Sequence, residues 1–75
     1  MASIINSAAD LGSMIRERRK VLGYTQARVA DLCGTGTRFI SELENGKESI
    51  ELGKALTVLS ALGIDLRAEL RGDNP

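Results

Sequence analysis

Residues 25–46, TQARVADLCGTGTRFISELENG, constrain this chain more than any other stretch, because the signals that start and stop two helices all fall inside one short window. Thr25 offers an oxygen ahead of a helical run, and Val29, Ala30 and Cys33 then share one face of a 3.6-residue repeat over Gln26–Cys33. Gly34 stands just past that run, where a helix ends in a left-handed backbone that glycine adopts without a steric clash. A second helix is predicted over Thr37–Asn45, burying Ile40 and Leu43 and leaving Thr37, Arg38, Ser41 and Glu42 to point elsewhere. Gly36 takes the N-cap of that helix, where glycine is tolerated at a small loss relative to serine or threonine.

The flanks extend the helical reading. Ser7 and Asp10 fit the opening of a first helix over Ala8–Leu22, with Leu11, Ile15 and Leu22 as its core stripe, Gly23 as its stop and RERRK complementing the dipole in its last turns. Those cations read first as a solvated face and second as phosphate contacts through Arg16, Arg18 or Lys20. Ser49 is the N-cap candidate for a further helix over Ile50–Leu62, in which Leu52, Ala55, Leu56, Leu59 and Leu62 recur at helical spacing before Gly63. After it the period changes to two. Leu66, Ala68 and Leu70 alternate with Arg67, Glu69 and Arg71, a strand pattern too short to stand alone, and the same strand of a second copy is the simplest partner. A frayed terminus is the alternative.

The central window resembles the Cro/C1-type helix-turn-helix family, without a gap: Thr25-Gln26 at the helix start, Ala30, Gly34 in the turn, Ile40 with Leu43, and Glu44-Asn45-Gly46 at the close. The flanks are further similar to HipB-like antitoxin repressors, and about Asp10–Leu66 is covered. The resemblance implies an all-α, compact four- or five-helix, lambda-repressor-like DNA-binding domain. The chain is then a single domain over 1–75, with a helical core at 7–63 and a C-terminal strand and tail at 64–75 used in dimerisation through Leu66, Ala68 and Leu70. By family position the recognition helix at 37–45 brings Thr37, Arg38, Ser41 and Glu42 to the base edges of the major groove, while Gln26 and Lys47 contact phosphates. Arg38 is the strongest candidate, since a guanidinium fork matches guanine O6 and N7; a phosphate contact or a pair with Glu42 are its alternatives. Glu42 would be repelled by phosphates unless it accepts from cytosine N4 or is neutralised by Arg38, and neutralisation is favoured. Arg19 and Glu44 occupy positions where the family has an ion pair between the first and third helices. Phe39 departs from the small or polar residue usual at its position; core packing, a thymine methyl or a partner surface could each use it.

Composition excludes more than it selects. The 75 residues suit one domain with a limited core, so association is a plausible source of stability. There is no histidine, no nucleophile beside a recognisable base, no phosphate loop followed by Lys-Ser/Thr and no metal-ligand cluster, so an enzyme, a metal site and a cofactor are not expected. One cysteine, Cys33, suits a reducing compartment, and MASIINSAAD has neither a signal-peptide pattern nor a membrane span, so the expected location is the cytoplasm. Net charge is zero, but residues 1–47 carry seven basic and five acidic side chains and residues 48–75 three and five, which puts the basic excess in the helix-turn-helix half.

The leading expectation is a homodimeric, sequence-specific repressor that binds a palindromic double-stranded DNA operator. The HipB-like resemblance adds autoregulation of a toxin-antitoxin operon and a HipA-type kinase toxin as partner. The alternative is a protein-interaction module that holds or neutralises a partner, with DNA binding secondary; zero net charge and Glu42 on the outward face support it.

Overall fold

Ser7 opens the first helix by accepting the Asp10 backbone N–H at 3.0 Å, while the Asp10 carboxylate accepts from the Asn6 N–H at 3.0 Å, so the acid reaches back beyond the cap itself. From that start the computed structural model, which describes residues 3–72, runs through four helices: α1 Ala8–Val21, α2 Gln26–Cys33, α3 Thr37–Glu44 and α4 Leu52–Ala61. All four stop in the same way. Gly34 is the C-cap of α2, and Gly23, Gly46 and Gly63 each sit one residue past the C-caps of α1, α3 and α4; all four have positive φ, and in each case two backbone N–H groups fold back onto carbonyls of the last turn. At Gly34, φ is 68°, its N–H reaches Asp31 O at 3.3 Å, and the Thr35 N–H reaches Ala30 O at 3.0 Å. The backbone leaves α2 at a fixed angle and enters α3 at Thr37, three residues later.

The core is the meeting of these helices. Ile15, Val29, Ala30, Ile40, Leu43, Ala55, Val58, Leu59 and Leu62 are all buried, with Leu11, Tyr24, Cys33, Phe39, Ile50 and Ile64 packed around them. α2 lies against both α3 and α4, and α1 against α3. The α1–α3 contact is main chain on main chain: a Cβ added at Gly12 would fall 2.5 Å from the Leu43 carbonyl oxygen and 2.6 Å from that of Glu44. Gly46 presses the same seam from the other side. Its φ is 79°, and a Cβ there would lie 2.7 Å from Ala9 Cα.

Several expectations need correction. The cap of α4 is Glu51, not Ser49: its carboxylate accepts the Lys54 N–H at 2.7 Å, and the helix starts at Leu52. Leu22, Leu52 and Leu56 are exposed although they share the helical period of the core, because no element packs over that flank in the single chain. Val58 takes a core place instead. The expected C-terminal strand is absent: among the described residues, 64–72 form neither helix nor strand. The reason is elementary, since a strand exists through its ladder and the isolated chain offers this segment no neighbour to pair with. Asp73, Asn74 and Pro75, which the expected tail included, lie outside the described residues. No helix among the described residues is long and apolar enough to cross a membrane.

Candidate nucleic-acid interface

α3 is amphipathic in the simplest way, with Ile40 and Leu43 turned into the core and Thr37 and Arg38 turned out. Its orientation is set from behind. Arg19, on α1, donates from Nε to Glu44 Oε2 at 2.6 Å and from an Nη to Oε1 at 3.0 Å, a two-pronged pair in which the carboxylate side chain is 2% exposed. The other Nη of Arg19 donates to the Tyr24 carbonyl at 2.9 Å. Gln26, at the first position of α2, adds its amide N–H to Glu44 Oε1 at 3.0 Å. Burial pushes the Glu44 carboxyl up, but hydrogen bonds from Arg19 and Gln26 and the nearby positive charge outweigh it, holding the group below the usual carboxylate range. The bond to Glu44 likewise raises Arg19, against the cost of its burial. One carboxylate at the end of α3 thus ties the helix to α1 and α2 together.

The outward face carries a second cluster. Arg38 Nε and Lys47 Nζ each reach Glu42, at 3.3 Å to Oε2 and 3.3 Å to Oε1. Lys47 first, then Arg38, holds the Glu42 carboxyl below its ordinary value. The Arg38 side chain is 90% exposed, so its guanidinium can leave Glu42 for another acceptor with almost no change in packing. Thr37 lies exposed at the first position of α3, and the half-buried Ser41 accepts a long 3.5 Å contact from the Asn45 amide. With Glu42 neutralised twice over, the cluster keeps one net positive charge. Phe39 is half-buried against the core, with the Lys54 ammonium 5.8 Å from its ring centre. Gln26 stands beside Glu44 with its second amide hydrogen still available.

The residues expected at base edges and phosphates therefore fall into two places. Thr37, Arg38, Ser41, Glu42 and Lys47 lie on and just after the outer side of α3, and Gln26 sits at its base against Glu44. A fold of this kind, with a helix of exposed polar residues clamped across the end of two others after a glycine turn, is matched in sequence: the profile of the helix-turn-helix family covers residues 15–68. The chain belongs to the helix-turn-helix family. An uncharacterized HTH-type transcriptional regulator, y4mF of Sinorhizobium fredii (strain NBRC 101917 / NGR234), is 41% identical over 66 residues, 88% of this chain and 87% of its own. Among solved structures, the HipB-O4 20mer complex shares the fold with a TM-score of 0.84 at 23% identity, over 93% of this chain and 99% of that one. A chain of the HipA-HipB-O2-O3 complex does so at 0.85 and 23%, with the same coverage. At that identity the likeness is one of fold.

Two further residues of this helix-turn-helix domain have roles that the sequence barely signals. Arg18 was a candidate for phosphate contact, but its Nε donates to the Leu62 carbonyl at 2.8 Å and closes α1 onto the end of α4. Asn45, read only as part of the helix stop, reaches back to the Ser41 hydroxyl. A helical (i, i+4) relation between Ser41 and Asn45 was the one hint available.

Proposed function

We propose that this chain is a sequence-specific DNA-binding transcriptional repressor that acts as a homodimer and reads each half of a palindromic operator with α3. The observation that carries the reading is the division of α3 into a clamped inner side, through Glu44, Arg19 and Gln26, and an exposed outer side led by the 90% exposed Arg38. Preorganised placement with free side chains is what major-groove readout requires. Thr37, Arg38, Ser41 and Glu42 face the bases, Gln26 and Lys47 hold phosphates on either side, and two half-sites lie about one helical turn apart. Dimerisation uses the tail around Leu66, Ala68 and Leu70, which forms a strand only when a second copy supplies the ladder.

The finer reading is an autoregulating, HipB-like antitoxin of a toxin-antitoxin operon, working in the cytoplasm as one domain with a HipA-type kinase as its protein partner. Its support is the fold shared with chains solved in the HipB-O4 20mer and HipA-HipB-O2-O3 complexes. No catalytic activity belongs to this reading. A second reading, a partner-binding module with secondary DNA binding, is favoured by one observation: both outer cations already hold Glu42, and the chain has no net charge to draw it to DNA.

A gel-shift titration against the chain's own upstream DNA and a scrambled duplex, at two salt concentrations, separates the two. Tight binding to the upstream DNA alone supports the repressor. Equal binding to both duplexes overturns it in favour of the partner-binding module.

A further inference from the structure

Two arginines of this domain bind a glutamate of α3, and they spend their donors differently. Arg19 uses Nε and both Nη groups on the protein, at Glu44 and the Tyr24 carbonyl. Arg38 gives only Nε, at 3.3 Å to Glu42 Oε2, and among the described residues its two Nη groups have no acceptor. A guanidinium carries its N–H donors in one rigid plane, so holding Nε limits the directions in which the Nη fork can point. That fork matches guanine O6 and N7.

Glu42 is equipped to keep its hold beside DNA. The Lys47 backbone N–H donates to the Glu42 carbonyl at 3.1 Å, so the close of α3 itself brings the Lys47 ammonium to Oε1, 3.3 Å away. An ammonium has three donors, and one spent on Glu42 leaves the others for a phosphate. Lys47 therefore screens Glu42 from the DNA backbone without being used up. Arg38 is placed otherwise. A swing of its guanidinium out to a phosphate takes one of two cations from Glu42 in a field of negative charge, whereas a guanine accepts the fork with the Nε bond intact. The exposed pair costs little to exchange in water, and on DNA the exchange is biased toward base edges.

We propose that Glu42 is a positioning residue for specificity: it holds Arg38 by Nε so that the Nη fork is offered to a guanine in preference to the phosphates, while Lys47 neutralises it against the DNA backbone. This rests on the repressor reading above and gives Glu42 a role through Arg38 instead of a base contact of its own.

The test compares Glu42→Ala, Arg38→Ala and the double variant of the full chain in competition gel shifts. The duplexes are the upstream operator, a series of it changed one base pair at a time, and a random sequence at several salt concentrations. Helical content by circular dichroism should not change, because Arg38 and Glu42 pair with each other and with Lys47 outside the core. Glu42→Ala should relax discrimination at least about fivefold at the same base pair as Arg38→Ala, and the double variant should match Arg38→Ala there within about twofold. On the random duplex Glu42→Ala should bind more tightly, with a salt dependence steeper by roughly one unit of slope as the freed Arg38 takes a phosphate, and the double variant should lose that unit. Relaxation at a different base pair makes Glu42 a base reader itself and overturns the proposal, as does unchanged discrimination. A wild type without operator preference overturns the repressor reading, and the random duplex then decides the rest. A steeper slope that disappears in the double variant upholds the hold of Glu42 on Arg38, whereas an unchanged slope overturns it.

Discussion

α3 carries two glutamates two positions apart, each held by basic partners, and they do opposite things. Glu44 faces inward, takes two bonds from Arg19 and one from Gln26, and is almost wholly out of water. Glu42 faces outward and holds Arg38 and Lys47 at 3.3 Å in a setting where water and salt compete for every contact. Each carboxylate is held below its usual range, yet only the inner one is bound up with the fold, because its alternative to pairing is an uncompensated charge beneath the helix. The outer pairs are worth little to stability and are for that reason free to exchange. The same chemistry is a fixing bolt on one side of the helix and a set of releasable contacts on the other.

The contrast can be broken most severely at the bolt. Glu44→Ala leaves Arg19 buried without its partner and should cost about 3–5 kcal/mol of unfolding free energy in urea titrations, a large share of the stability of so small a domain. A loss below about 1 kcal/mol would show that the inner pair is no different in kind from the outer one. Next comes the seam that the bolt crosses. Gly12→Ala forces a methyl into the carbonyls of Leu43 and Glu44 and should cost about 1–3 kcal/mol by the same assay.

Acid sharpens the comparison without a clash. Glu44 has a folded-state pKa below its unfolded value, so its contribution is complete above the ordinary glutamate value of about 4.3 and is lost as pH falls through the lower, folded value. Stability should therefore decline below about pH 4.3, and the Glu44→Gln variant should show a flatter decline over the same window. Parallel acid profiles for the two proteins would remove Glu44 from the account.

On the outer side the order of effects reverses. Arg38→Ala should leave unfolding within about 0.5 kcal/mol of the wild type while relaxing discrimination at one base pair by about 1–3 kcal/mol in competition gel shifts. Lys47→Ala should act least: a uniform weakening on specific and random duplexes, with the salt dependence flatter by roughly one unit of slope. Equal losses on both duplexes for Arg38→Ala would make it a phosphate contact like Lys47.

Much of this frame was legible in the residues because it is local. Glycines 23, 34, 46 and 63 each end a helix, and Ser7 and Thr25 each accept the backbone N–H three residues on, as side chains of those types do. What escaped was decided across space. Gly12 stands inside a helix, where glycine ordinarily costs stability, and the crossing of the α3 backbone explains it. Arg18 finds its acceptor at Leu62, 44 positions away, where no periodicity could point. Leu52 and Leu56 keep the helical period and are exposed, because a period marks an apolar stripe without saying how wide the partner beneath it is. α4 starts later than Ser49 because Glu48 and Ser49 lie in a turn closed by the Ile50 N–H on the Lys47 carbonyl, and it is the Glu51 carboxylate that accepts the Lys54 N–H. Of the site itself, the inner pair of Arg19 and Glu44 could be read through family position, whereas Lys47 joining Arg38 on Glu42 needed coordinates.

The bare backbone seam between α1 and α3 has one more consequence. Where helices meet through side chains, their separation depends on which side chains those are, and changing one shifts the other. Here the distance is set by peptide groups and the absence of a Cβ at Gly12 and Gly46, so it carries no record of the residues on the far side of α3. Thr37, Arg38 and Ser41 touch none of that seam, so on the proposed reading the address of the domain would be a replaceable part on an unchanging mount.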